Sequence, residues 1–495
     1  MARVRPVRSL LSRRSLVTWG VALSLPLAAA VVGPATLLPS AEAKPRCEAS
    51  SQLDAVIGVQ GEAIGKKRGA GVVEVRYSCL LTHKPQALKL PKAHAHDGFG
   101  TSVVRGYFNA DDYEDVAVGV PGLDVKGHRD AGGVALFYGS KKGLRFGKLL
   151  TQASKGVPGA VSTGARFGAA VGTEGYLGDH AYVLRIGAPG KKVSGHKNAG
   201  AFVDLPYVRG KLTHARQVTL ATKGIPGSPG TGDRLGASVV GSYAVGAPGR
   251  TVAGKAGAGA VLVSYFPGGG KPQKATLLTQ ASPGIAGEPT AGNHFGAALT
   301  RRWVGVPGQS VNGAAGAGAV VRYYYGSWAN NPGFQPVEIV AGRDGVPGTP
   351  RAGAHFGATL SDLGFYVDDT EWVPQDVLVG APGDTIGGHR GAGSVTAIGV
   401  NEPTPDDDFP FSFTGKNQLL TAPAPATGAA FGTSIASPQS GLAIGAPDVR
   451  GGRVYLYRSS GPDQLPVVWQ ATWKQQAGTP ETGDGFGSSL ASVSN

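Results

Sequence analysis

Residues 99–139 read FGTSVVRGYFNADDYEDVAVGVPGLDVKGHRDAGGVALFYG. The stretch has four parts: a Phe-Gly step at Phe99-Gly100, a short β-like run, an Asp/Asn-rich turn into a second run ending Gly-Val-Pro, and a glycine-rich loop closing on a third run from Gly133. The chain repeats it. Phe-Gly recurs at Phe99, Phe167, Leu235 (Leu for Phe), Phe295, Phe356, Phe431 and Phe486, at intervals of 68, 68, 60, 61, 75 and 55 residues. A Gly-Ala-Pro element, written GVP, GAP or GVQ, begins at Gly58, Gly119, Gly187, Gly246, Gly305, Gly380 and Gly445. Self-similarity at such a period marks a repeat architecture and governs the reading of everything smaller.

The two series are out of phase. Gly58 has no Phe-Gly before it, and Phe486 has no Gly-Ala-Pro after it. With Lys44 as the first residue of the mature chain, 65 residues separate Phe486 from Phe99 round the joined ends, which matches the period. Two half-units that complete each other suit a closed ring, in which small sheets pack face to face and only short, protected edges remain. An open solenoid would need polar capping repeats, and none stands at either end. The expected fold is all-β: a seven-bladed β-propeller of four-stranded blades over residues 44–495, its closing blade shared between the N- and C-terminal segments.

Residues 1–43 read as an export signal: Arg3, Arg5, Arg8, Arg13 and Arg14, an apolar stretch from Leu16 to Val32, then Ala41-Glu42-Ala43 with small residues at the cleavage positions. Arg13-Arg14 fits either a twin-arginine address or a general secretory signal with a chance Arg pair. No later segment has 18 uninterrupted apolar residues, so a secreted or surface-associated product is expected. Export and an even cysteine count favour a Cys47–Cys79 disulfide over two reduced thiols. A hairpin of the runs 53–59 and 72–79 would bring the two together.

The 80 glycines and 35 prolines recur in register, so they are turn chemistry rather than low complexity. In the quoted unit, β-branched and aromatic residues gather at 102–104, 115–120, 133–138 and 148–152, which read as the four strands. A second repeated element follows the fourth: SKGVPGAVSTGARFG from Ser154, TKGIPGSPGTGDRLG from Thr222, SPGIAGEPTAGNHFG from Ser282 and RDGVPGTPRAGAHFG from Arg343. Its glycines serve positive φ and close backbone approach, a packing requirement rather than a phosphate cradle.

Phe-Gly, then Gly-Ala-Pro, then Gly-Ala-Gly-Ala-Val resembles the FG-GAP repeat of the integrin α-subunit propeller and its bacterial secreted relatives, over essentially all of residues 44–495. The resemblance implies a recognition propeller, and calcium in the turn between the first two strands of some blades, bound through Asp-x-Asp/Asn-x-Asp-Gly-x-x-Asp. In the turn 107–115, Asn109, Asp111 and Asp115 match and Tyr113 offers a carbonyl, but Tyr107 replaces the leading Asp and Asp112 the glycine. The turn reads either as a degenerate calcium site or as a solvated Asx-type turn.

The loops after Gly-Ala-Pro hold Lys66, Lys67, Arg68, Lys126, Arg129, Lys191, Lys192, Lys197, Arg250, Lys255, Arg390, Arg450 and Arg453 against Glu62, Asp124, Asp130, Asp384 and Asp448. Most of the excess positive charge of a +14 chain therefore falls in loops that repeat symmetry places on one face. His128, His196 and His389 recur at equivalent loop positions. Such a face suits an anionic cell-wall or glycan polymer, or else serves only solubility. No aromatics interleave with the cations as a single-strand nucleic-acid groove would want, which argues against specific nucleic-acid binding. GxSxG, HExxH and GxxxxGK[ST] are all absent, and Gly268-Gly269-Gly270-Lys271 runs into Pro272. The reading is a non-enzymatic recognition or adhesion module for an extracellular protein or anionic polymer. The alternatives are a propeller hydrolase or lyase acting on extracellular glycans, and a purely structural envelope protein.

Overall fold

The computed structural model describes residues 53–77, 85–176, 181–263, 275–323, 336–367, 371–401, 412–437, 441–448, 451–459, 467–476, 480–481 and 483–491. The export signal, Cys47, Cys79 and Arg450 lie outside these residues. The described secondary structure is all strand, in seven antiparallel sheets. Numbering blades from Phe99, blade 1 is Val103–Gly106, Asp115–Val120, Gly133–Tyr138 and Arg145–Leu150, in that order from the inside. Blades 3 and 6 repeat this order from Ser238–Val240 and Ser434–Ala436, and blades 2 and 5 do so from Ala170–Tyr176 and Thr359–Val367 with the outermost position split between two short strands that both pair with the third. In blade 4 the innermost strand is reduced to one bridge, Leu299 to Val304, beside Trp303–Val306.

Blade 7 closes the ring as the phase shift predicts. Its inner strand, Phe486–Ala491, comes from the C-terminal segment and pairs with Leu53–Val59, which pairs in turn with Val72–Tyr77 and then Gln86–Leu88. The register sets Val56 opposite Ala491 and Ile57 opposite Leu490. The expected N-terminal hairpin is present, with Leu53 opposite Tyr77.

The middle strands are sandwiched between blades, so they read as nearly continuous apolar runs rather than alternating ones. Every residue of Asp115–Val120 is buried, whereas the outermost Arg145–Leu150 is largely exposed. Successive side chains still point to opposite faces. Val116, Val118 and Phe137 of blade 1 pack with Val73 and Val75 of blade 7, while Ala117 and Leu136 pack with Leu184 and Ile186 of blade 2.

The two repeated glycines lock blade to blade. In blades 1 to 6 the N–H of the Phe-Gly glycine donates to the carbonyl of the Gly-Ala-Pro glycine in its own blade, for example Gly168 N to Gly187 O at 2.9 Å and Gly432 N to Gly445 O at 2.9 Å. Its own carbonyl presses against the Gly-Ala-Pro glycine of the preceding blade. A Cβ on Gly119 would fall far inside 3.0 Å of Gly168 O, and one on Gly187 would meet Gly236 O equally closely. The same holds from Gly445 to Gly487 and from Gly58 to Gly100, so the lock runs through the closure. The Phe-Gly glycines have φ of +85° to +93°, where a side chain is strained. Leu235 is fully buried and bridges Gly200 as Phe167 bridges Gly132, so the Leu-for-Phe copy is a regular blade start.

Candidate ligand-binding face

What sequence alone shows as glycine-rich loops are miniature hairpins. Single antiparallel bridges close them: Ile64 to Lys67, Val125 to His128, Val193 to His196, Val252 to Lys255, Val311 to Ala314 and Ile386 to His389. In five of the six both central residues have positive φ, as at Lys126 (50°) and Gly127 (82°), or Ser194 (48°) and Gly195 (90°). That is the two-residue turn that x-Gly favours. Blade 7 uses Gly65 (62°) in the first central position.

Each hairpin is then tied to the connector entering the next blade. The residue after the tip lends its carbonyl to a connector N–H: Arg68 to His96, Arg129 to Gly164, Lys197 to Gly232, Ala256 to Gly292, Ala315 to Gly353 and Arg390 to Gly428, all at 2.8–2.9 Å. Two residues on, the residue before Phe-Gly or Leu-Gly donates back, as Arg166 N does to Asp130 O at 3.0 Å and Arg234 N to Asn198 O at 2.9 Å. Backbone bonds thus hold these positions.

Of the thirteen predicted cations, Lys66, Lys67, Arg68, Lys126, Arg129, Lys192, Lys197, Lys255 and Arg390 are exposed. Among the predicted loop carboxylates, Asp124, Asp130 and Asp448 are exposed, whereas Glu62 and Asp384 are buried. Lys191 departs from the expectation. It is 6 % exposed, its Nζ donates to Gln152 Oε1 at 2.9 Å and to the Ala160 carbonyl, and burial pushes its pKa down. It ties a connector rather than facing solvent. Arg250 is half-buried, donating to Asp233 Oδ2 at 2.7 Å and Ser228 O at 3.0 Å, and Arg453 is half-buried with Nη1 on Gly452 O at 2.6 Å. His128 and His196 sit 3.4 Å from Thr163 and Thr231 of the following connectors. Arg166 and Arg234 are exposed beside this face. Reading the connectors as packing alone passes over them; the Arg-Phe-Gly and Arg-Leu-Gly spelling is the available signal.

The turn considered for calcium is closed by its own hydrogen bonds. Asn109 Nδ2 donates to Asp111 Oδ2 at 2.7 Å, and Asp111 Oδ1 accepts the Tyr113 N–H at 3.0 Å. Asp115 is buried and accepts the N–H of Phe108 at 2.7 Å and of Gly139 at 2.9 Å, while burial pushes its carboxyl up to about 7. No three His, Cys, Asp or Glu side chains among the described residues are grouped to hold a metal. As placed, Asn109, Asp111, Tyr113 and Asp115 do not fit a calcium shell, because a hard cation needs carboxylates free to converge.

The opposite ends of the blades carry a second polar group. Arg301 Nη2 of blade 4 donates to Glu174 Oε1 of blade 2 at 2.8 Å, passing over the short turn of blade 3, and the guanidinium lies 4.9 Å from the Tyr243 ring. Burial pushes the Glu174 carboxyl up against the pull of Arg301, and pushes Asp362 of blade 5 up to about 6 although Thr300 and Arg302 favour its anion. The two acids and the arginine come from three blades and share no local motif.

No family model and no curated protein matches the sequence. Among solved structures, the chain is similar to the periplasmic gluconolactonase PpgL of Pseudomonas aeruginosa, with a TM-score of 0.43 and 11% identity over 86% of this chain and 97% of that one. It is also similar to a complex of NanB with Optactamide, with a TM-score of 0.31 and 11% identity over 76% of this chain and 61% of that one.

Proposed function

We propose that this is an exported, non-enzymatic recognition propeller whose Gly-Ala-Pro loop face holds an anionic extracellular polymer. The observation that supports this best is the set of nine exposed loop cations against three exposed loop carboxylates, presented on hairpins that six backbone-fixed junctions hold at one end of the ring. Exposed side chains placed with mostly one sign of charge create a summed field that attracts and retains a polyanion, although Lys67 Nζ also donates to the Ala93 carbonyl at 2.6 Å. Retention of the protein on purified cell wall and on anionic glycan, across a salt gradient, tests it. Retention should fall with salt and fall again in a Lys66→Ser/Lys67→Ser/Arg68→Ser/Lys192→Ser variant. No retention of the unaltered protein at low salt refutes the reading.

The second reading, a glycan hydrolase or lyase, is favoured by one feature: Glu174 and Asp362, two carboxyl groups with raised pKa beside Arg301. Raised carboxyls next to fixed cations suit acid-base work. Under this reading, incubation shortens the polymer chain and Glu174→Gln or Asp362→Asn stops the shortening.

A further inference from the structure

We propose that the bound polymer lies along an arc over three contiguous blade junctions rather than around the whole ring; this rests on the reading of the loop face as a polyanion site. At the six described junctions the same backbone bonds tie the residue after the hairpin tip, and the one beyond it, to the connector that ends at the residue before Phe-Gly or Leu-Gly, so these two end positions lie near each other. The junction of blades 7 and 1 holds Arg68 with Gly98, that of blades 1 and 2 holds Arg129 with Arg166, and that of blades 2 and 3 holds Lys197 with Arg234. All five cations are exposed. The next two junctions hold Ala256 with His294 and Ala315 with His355, and that of blades 5 and 6 holds Arg390 with Ala430, one cation outside the contiguous run. Both histidines sit with Nδ1 at 3.1 Å from a proline carbonyl, that of Pro248 or Pro307, so they are packed onto the preceding loop.

The backbone geometry is the same at these junctions, so the difference lies in the side chains alone. A compact anion would meet one junction and gain two cations at most. A flexible chain with regularly recurring phosphate or carboxylate groups would meet three junctions in succession. Asp124 and Asp130 stand beside the central junction, and Asp124 Oδ1 accepts the Asp130 N–H at 2.9 Å. Each cation that releases counterions from the polymer adds to the salt dependence of binding, and cations the polymer does not touch add nothing.

Binding of long-chain inorganic polyphosphate, polygalacturonate and triphosphate, each measured across a salt series, tests the arc. The two polymers separate phosphate from carboxylate, and triphosphate is too short to span junctions. The variant Arg129→Ser/Arg166→Ser/Lys197→Ser/Arg234→Ser is compared with Lys141→Ser/Lys142→Ser/Arg209→Ser/Lys211→Ser, which removes four exposed cations from the far ends of blades 1 and 2. The arc variant should lose tenfold or more in polymer affinity at low salt, with its log–log salt slope shallower by about 3, at about 0.7 for each cation removed. The control should lose under about threefold, a long-range screening effect only. Equal losses in the two variants, or triphosphate bound as tightly as the polymers, overturn the arc while leaving polyanion binding intact. If the unaltered protein binds neither polymer, the underlying reading fails as well. Should the fourfold variant not fold, Arg166→Ser/Arg234→Ser against Arg209→Ser/Lys211→Ser carries the same comparison at half the expected slope change.

Discussion

The two ends of the blades treat charge in opposite ways. At the loop end, cations stand in solvent on hairpins whose shape is set by positive-φ turns and backbone hydrogen bonds. At the turn end, several charges of the inner-strand turns are buried and paired, although the outer turns carry exposed lysines and an arginine. Arg105 Nε of blade 1 donates to Glu114 Oε1 at 2.9 Å, and Arg301 reaches Glu174 across blade 3. The turns of blades 3 and 4 are short there, spanning only Val240 to Ala244 and Leu299 to Trp303, so ion pairs do the tying that close glycine packing does at the other end. A substitution at the turn end should therefore read out in stability, and one at the loop end in binding.

The largest expected effect is at Asp115, in the turn end of blade 1. Its carboxyl is pushed up to about 7 in the fold from an ordinary 3.8, so the folded state holds the proton more tightly than the unfolded chain does. The stability this contributes is complete below the ordinary value and is lost as pH rises through about 7. Unfolding free energies from urea titrations between pH 4 and 7 should fall by on the order of 1 kcal/mol per pH unit from this group. Asp115→Asn should flatten the profile, because nothing at that position then titrates. It should also lower stability at pH 4, since the amide group faces the N–H of either Phe108 or Gly139. An unchanged slope in the variant would remove Asp115 as the source.

Next comes Arg301→Ala, which leaves the buried Glu174 without its cation and should cost about 2–3 kcal/mol at pH 8, less than a fully buried pair because Arg301 is a quarter exposed. Without Arg301 the Glu174 carboxyl moves up further, so protonation relieves the loss as pH falls, and the deficit should be smaller at pH 5. Removing Lys66 or Lys192 instead should shift stability by under about 0.5 kcal/mol, as for surface changes generally. A loop-end loss as large as the turn-end one would break the contrast.

A gain at the loop end sharpens it. Ala256→Arg with Ala315→Arg fills the two neutral junctions next to the arc, at positions whose backbone is already held like that of Arg129. Affinity for long polyphosphate should rise about three- to tenfold at low salt, with a salt slope steeper by about 1.4 from the two added cations, while triphosphate binding and thermal midpoint stay unchanged.

How far the sequence carried this picture follows from the range of each interaction. The blade count, the closure and the glycine requirement were legible because the same local words recur seven times and the phase of the two series is a property of the string. Which carbonyl each glycine must admit was not, since Gly119 meets Gly168 only once blades stack. Lys191 and Lys192 look alike as neighbours in a basic loop; only the approach of Gln152, 39 residues away, decides that the first is buried. Glu174 and Arg301 are 127 residues apart on non-adjacent blades, and no local pattern announces them.

The smallest effect separates shape from charge at one residue. Arg166 has φ of 54°, a left-handed conformation costing a side-chain-bearing residue about 1–2 kcal/mol. The residue before Phe-Gly is left-handed in every blade, and blades 1 and 7 place glycine there, Gly98 and Gly485. If packing alone governed the position, glycine would serve in blade 2 as well. Arg166→Gly should relieve the strain, and after the greater freedom of glycine in the unfolded chain is subtracted, stability should rise by about 0.5 kcal/mol. The same change removes a cation from the centre of the arc and should make the polyphosphate salt slope shallower by about 0.7. A protein made slightly more stable and a weaker binder by one substitution would show that the arginine is kept for its charge. A loss of stability would instead assign the side chain a packing role.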